Sequence, residues 1–227
     1  VKYAGSYVNG QYNGSGVLYY PSGAVKYAGE FKKSVYDGKG KLYSEKKELI
    51  YEGGFADGLY QGPGTLFGFE GTKIYEGDFS RGVYSGYGIK YNSDGRVEYE
   101  GQFLNGEMHG QGTWNYPNGF PRAQGSFNKG LLEGYCEVFN EKEKNVMKYK
   151  GEFSEGKLNG KGEKWSKTGR LKYKGQFKDG LKDGEGELYS KEGKLSYRGV
   201  FRANKMEGEG TLYYPSGNKQ YEGEFRN

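Results

Sequence analysis

One short element, Tyr-x-Gly-x-aromatic, recurs along this chain in steps of 24 residues. It stands at Tyr3–Tyr7, Tyr27–Phe31, Tyr51–Phe55, Tyr75–Phe79 and Tyr99–Phe103. A degenerate copy follows at Ala123–Phe127, and the next step is 26, to Tyr149–Phe153. The 24-residue step then resumes at Tyr173–Phe177, Tyr197–Phe201 and Tyr221–Phe225. A Gly-x-Gly element keeps pace at 14/16, 38/40, 62/64, 86/88, 110/112, 160/162, 184/186 and 208/210, and becomes Gly134-Tyr135-Cys136 in the sixth copy. A fixed period of this length means a repeat architecture, in which each unit buries its apolar side only against its neighbours. Residues 1–227 read as one continuous array of nine repeats and the start of a tenth.

Each repeat reads as two short strands. In Tyr99-Glu100-Gly101-Gln102-Phe103, alternation puts Tyr99, Gly101 and Phe103 on one face and Glu100 and Gln102 on the other. Asn105-Gly106 follows as a hairpin turn, since both residues tolerate positive φ. A second strand is expected from near Gly112 through Tyr116, closed by Pro117-Asn118-Gly119. Lys33-Ser34 and Asn204-Lys205 stand where other repeats have x-Gly, and those turns are expected to be built differently. Glycine inside a strand weakens it, so its recurrence implies that rings from neighbouring strands lie flat over bare backbone. Leu, Ile, Val and Phe together supply only 40 residues, while 24 tyrosines provide amphipathic rings instead. No segment reads as a long helix; Glu141–Lys144 is too short to stand alone. The expected fold is all-β: an elongated single-layer antiparallel meander of stacked hairpins, twisted into a curved or helical trough.

Tyr-Glu-Gly-Glu-Phe at 221–225, Gly-Lys-Leu-Asn-Gly-Lys-Gly at 156–162 and Gly-Glu-Met-His-Gly-Gln-Gly at 106–112 resemble the MORN (membrane occupation and recognition nexus) repeat. The resemblance covers nearly the whole chain. It implies a single-layer antiparallel sheet of stacked hairpins, often curved into a groove. It also implies a scaffold or protein-binding role; some such arrays dimerise, some associate with membranes or lipids, and several are appended to catalytic domains. The chain opens at Val1 in mid-pattern, as expected of a processed protein or an excised piece.

Little in the sequence points to catalysis. His109 is the only histidine, so a His-based metal cluster is excluded, and no cofactor is expected. Cys136 is the only cysteine, which excludes an internal disulfide. Glu30, Glu52, Glu76, Glu100, Glu152, Glu222 and Glu224 occupy repeat positions and read as solvated strand residues. Gly151 to Lys157 has the glycine and lysine spacing of a phosphate-binding loop, but Leu158 stands where Ser or Thr should hold Mg²⁺. The sixth repeat departs most: Ala123 for Tyr, Cys136 for Gly, and two extra residues near Asn140–Asn145. An insertion in a repeat array is expected in a loop on one face.

Two features remain as candidates for binding. Tyr27, Tyr51, Tyr75, Tyr99, Tyr149 and Tyr173, with Phe31, Phe55, Phe79, Phe103, Phe153 and Phe177, are expected to form rows that act as packing or line a groove for a protein segment. The net charge of +5 lies in the last third: residues 1–146 carry 16 basic and 17 acidic side chains, residues 147–227 carry 18 and 12. Lys150, Lys164, Lys172, Lys174 and Lys182 are the candidate contacts to an anionic membrane or an acidic protein. A nucleic-acid partner is not expected from so diffuse a charge. A protein partner is favoured, an anionic membrane is the alternative, and end-to-end pairing of exposed edge strands into a homodimer is a further expectation. A regulatory array of a larger enzyme is the third reading.

Overall fold

The computed structural model describes residues 2–226 and contains nineteen antiparallel strands. The chain divides into two compact units, Val1–Met108 and His109–Asn227. The first holds β1 (Tyr3–Val8), β2 (Gln11–Tyr19), β3 (Val25–Lys32), β4 (Val35–Tyr43), β5 (Leu49–Ala56), β6 (Leu59–Phe67), β7 (Lys73–Ser80), β8 (Val83–Tyr91) and β9 (Val97–Leu104). β10 (Glu107–Asn115) begins at the boundary. The second unit continues with β11 (Pro121–Asn128), β12 (Leu131–Phe139), β13 (Met147–Ser154), β14 (Lys157–Trp165), β15 (Leu171–Lys178), β16 (Leu181–Tyr189), β17 (Leu195–Arg202), β18 (Lys205–Tyr213) and β19 (Lys219–Phe225). Within each unit every strand pairs with the next in sequence, as a meander of hairpins.

The two-residue turns set this register. Asn9-Gly10, Asp57-Gly58 and Asn105-Gly106 place both residues at positive φ, the type I′ geometry whose twist matches the flanking strands. Lys33-Ser34 adopts the same geometry at φ 50° and 65°, and so does Ala203-Asn204 at 46° and 73°. The expectation of a different turn is therefore corrected, and the second turn lies one residue earlier than Asn204-Lys205. Extra bonds offset the strain of non-glycine residues there: Ser34 Oγ accepts from Tyr12 N–H and Asn204 Oδ1 from Lys182 N–H, each at 3.0 Å. The second strand of the quoted repeat also starts earlier than expected, at Glu107 rather than Gly112, and ends at Asn115. Asn105-Gly106 joins the strands directly, and Gly110, at φ 56°, bends inside β10 without ending it. The two-residue insertion enlarges the loop after β12, where Asn140 N–H donates to Val146 C=O, and pairing resumes at Phe139 and Met147.

The two glycines of Gly-x-Gly serve different ends. Pairing runs Gly29 opposite Gly40, then Phe31 opposite Tyr36, so Glu30 bulges against residues 37–39. Gly38 takes φ 92° in that bulge. The bulge is closed from both faces: Tyr27 Oη donates to Glu30 C=O at 3.0 Å, and Glu30 Oε1 accepts from Lys39 N–H at 3.0 Å. Gly40 answers to sterics instead. The Tyr27 ring lies over both Gly29 and Gly40, and a Cβ on Gly40 would collide with its ring and hydroxyl. The covering ring thus comes from the same strand as the first glycine, not from a neighbouring one as the sequence suggests.

These rings are the core. Tyr27 stacks on Tyr36 at 3.9 Å between centroids and meets Phe31 and Phe55 edge-on at 5.0 and 5.2 Å. Tyr51 with Tyr60 and Tyr75 with Tyr84 repeat the arrangement. Such aromatic pairs add about 0.5–1.5 kcal/mol each beyond burial. Tyr221, in the last described strand, is 46% exposed where Tyr27, Tyr51 and Tyr75 are 0%.

Gly88 lies opposite Gly77 under the Tyr75 ring. Gly88→Ala should therefore cost about 3 kcal/mol by overpacking, and Tyr75→Phe about 1 kcal/mol for the lost hydroxyl bond, both read from urea unfolding midpoints. A Gly88→Ala cost below that of Tyr75→Phe would mean the ring is not seated on the glycine. Burial raises the Tyr51 and Tyr99 phenols from 10.0 to about 12. A folded-state value above the unfolded one makes this stabilisation complete below pH 10 and lost as pH rises through 12. Phenolate absorbance should therefore rise together with loss of the β signal across that window; ionisation at pH 10 with the sheet intact would refute the seating.

Candidate functional site

The ring ladder changes in the second unit. Ala123 leaves vacant the place that tyrosine fills in other repeats, and Cys136 stands opposite Gly125 where a second glycine would be. The Cys136 thiol occupies the emptied space, 1% exposed, and donates towards Ser126 C=O at 3.4 Å and Glu133 C=O at 3.5 Å. Those carbonyls correspond to the two that Tyr75 Oη reaches, on Asp78 and Ser85. Cys136 thus substitutes for an absent tyrosine, both in volume and in hydrogen bonding. Burial pushes its thiol up from its ordinary pKa, which disfavours the reactive thiolate.

One repeat on, Tyr149 is half-buried and does not cover its glycine pair. Leu158, 4% exposed, packs beside Gly162 instead. The next repeat keeps Tyr173 seated but replaces its stacked partner by Lys182, whose ammonium lies 5.4 Å from the Tyr173 ring and 5.1 Å from that of Phe201. Where the tyrosines are missing or displaced, a pocket of about 470 Å³ opens on the ring-bearing face. Trp114, Leu132, Val138, Tyr149, Phe153 and Leu158 line it, with Arg122 and Lys157 at its side. The Arg122 guanidinium stacks 3.6 Å from the Trp114 ring. This is an apolar recess of the size range that binds ligands, edged by cations.

The opposite face is electrostatically closed. Residues directly across from one another form ion pairs: Lys41 with Glu52, Glu137 with Lys150, Glu163 with Lys174 and Glu187 with Arg198. Depressions of about 270 and 500 Å³ on that face have such pairs in their walls.

The structure separates the candidate lysines. Lys150 and Lys174 belong to the ion-paired face. Lys164 lies 5.5 Å over the Tyr149 ring, and Lys182 sits among the core rings. Burial lowers the Lys182 pKa first, and the charges of Lys164 and Lys172 lower it further. The candidate aromatic rows form the interior of the hairpin stack: Tyr27, Tyr51, Tyr75, Tyr99 and Tyr173 are at most 1% exposed, and Phe31, Phe55, Phe79, Phe103, Phe153 and Phe177 at most 6%. Their edges and faces are spent on one another. Tyr149 alone keeps part of its ring accessible. Trp114, Arg122 and Leu132 were passed over in the sequence because they stand outside the recurring Tyr and Phe rows; the departures of the sixth repeat, above all Ala123 for Tyr, were the signal of the recess they line.

A family model for the MORN repeat matches residues 3–25, 27–46, 51–73, 75–95, 99–119, 149–169, 173–194 and 197–219. The chain belongs to the MORN repeat family. Eight units match, and the stretch between 119 and 149 that does not is the one carrying Ala123, Cys136 and the enlarged loop. MORN repeats are generally protein or membrane interaction modules, and the family is generally non-enzymatic. A search of curated proteins found no match to the chain.

If Ala123 and Cys136 share one seat, Cys136→Gly alone should cost about 2 kcal/mol through the void it leaves, and Ala123→Tyr alone a similar amount through overpacking. The double variant should recover the ordinary repeat, with a coupling of about 2 kcal/mol in a denaturation cycle. Additive costs would show that the two side chains do not share the space.

Proposed function

We propose that this MORN array is a non-catalytic interaction scaffold that holds a protein segment on the ring-bearing face of its second unit. The observation that carries this is the recess beside Trp114, Leu132 and Leu158. It opens where the ring ladder is interrupted, so an incoming side chain can take the position that the protein's own tyrosines fill elsewhere. Buried Tyr and Phe rings supply a stiff floor, and Tyr149 supplies ring surface at the wall. Aromatic walls suit protein contacts because they bury much area at small entropic cost. The family's general role as an interaction module supports the same reading.

A second reading has its own observation. Lys157 lines the recess and Lys148 and Lys164 lie over its Tyr149 wall, without ion-pair partners among the described residues, and such a group would also attach the array to an anionic membrane. Lys150 and Lys174 do not contribute to it, being ion-paired on the far face.

The separating measurement is capture from soluble and membrane fractions of the source cell, comparing wild type with a Leu131→Gln/Tyr149→Ser variant. Leu131 is 50% exposed at the recess, so this variant should fold normally by circular dichroism. A protein recovered in stoichiometric amount by the wild type and lost in the variant is expected. Equal recovery by both, or recovery of anionic lipid alone, would overturn the proposal.

A further inference from the structure

The cations of the second unit are sorted by face. Lys150, Lys174 and Arg198 on the far face each have a carboxylate directly across the strand. Arg122 and Lys157 line the recess, Lys148 and Lys164 lie over the Tyr149 ring that walls it, and the ion pairs among the described residues of this unit all use other cations. Arg122 lies over Trp114, Lys148 and Lys164 each lie 5.5 Å from Tyr149, and Lys182 lies between Tyr173 and Phe201. Cations gathered over an apolar floor without ion-pair partners give a field that attracts anions.

Resting on the scaffold reading above, we infer that the partner segment is acidic, with Asp or Glu residues flanking one bulky apolar side chain that enters the recess. The pocket of about 470 Å³ requires a projecting apolar group, because its walls are Leu132, Val138, Phe153 and Leu158. The unpaired cations at its edge require negative charge beside that group. A segment with only one of the two features leaves either the cations or the recess unmatched. A planar bilayer surface meets the cations but presents nothing of fixed position to the recess, which favours a peptide over a membrane. Charge pairing at the rim speeds encounter and excludes basic segments, while the buried anchor slows dissociation.

The test uses the whole chain immobilised against a display library of short random peptides. The expected result is enrichment of sequences pairing an aromatic or large aliphatic residue with neighbouring Asp or Glu. Affinity of the enriched peptides should fall about tenfold in Lys148→Glu/Lys164→Glu and on raising salt. In Leu131→Gln/Tyr149→Ser it should fall without a change in salt dependence. Enrichment of neutral or basic apolar peptides would overturn the acidic inference and leave the scaffold reading standing. No enrichment at all, with flotation on phosphatidylserine vesicles that the Lys148→Glu/Lys164→Glu change abolishes, would overturn both in favour of the membrane. No enrichment and no flotation would also overturn both. Circular dichroism and unfolding midpoints of each variant separate loss of binding from loss of fold.

Discussion

A tyrosine ring seated on a pair of glycines is the contact on which the rest of the array depends. A sheet one layer thick has no second sheet to bury its apolar side. The protein solves this by removing side chains from its own backbone and laying a ring in the space, as Tyr27 does over Gly29 and Gly40. The phenol then donates to the carbonyl of the bulged Glu30. Core packing and closure of the bulge are therefore met by a single side chain. Phe55 of the following repeat covers the edge of Tyr27, so each unit is completed by its successor.

Because this packing is internal, the ring-bearing face opens a recess where the ladder is interrupted. In the first unit Tyr36, Tyr60 and Tyr84 stack on their partners and leave no vacancy. In the second unit the corresponding places hold Leu132, Leu158 and Lys182, and Ala123 removes a ring altogether. The same region carries the basic excess. Regular repeats supply the frame, and their irregular members supply a surface with chemical character.

Much of the fold could be read from the sequence because the period is strict. Tyr99, Gly101 and Phe103 share a face as alternation requires, and Asn105-Gly106 forms the expected turn. The strand start at Glu107 was obscured because Gly110 resembles a terminator but takes its positive φ inside a strand. Lys33-Ser34 and Ala203-Asn204 looked like exceptions because local propensity opposes positive φ at those residues, yet hydrogen bonds from the adjoining repeats hold them there. The site was least legible. Tyr and Phe rows attract attention by recurring, and recurrence marks what every unit needs for stability. Which face each lysine occupies also depends on a bulge that alternation alone cannot place.

The pairing of Ala123 with Cys136 also bears on how such an array diverges. A cysteine opposite Gly125 has no room while a tyrosine lies over that glycine, since its sulfur occupies the ring's place. Either residue alone is therefore costly in an otherwise ordinary repeat, and only the pair fits. A residue copied from a neighbouring repeat into either position no longer suits it, so a compensated pair of this kind makes one unit of the array non-interchangeable with its siblings.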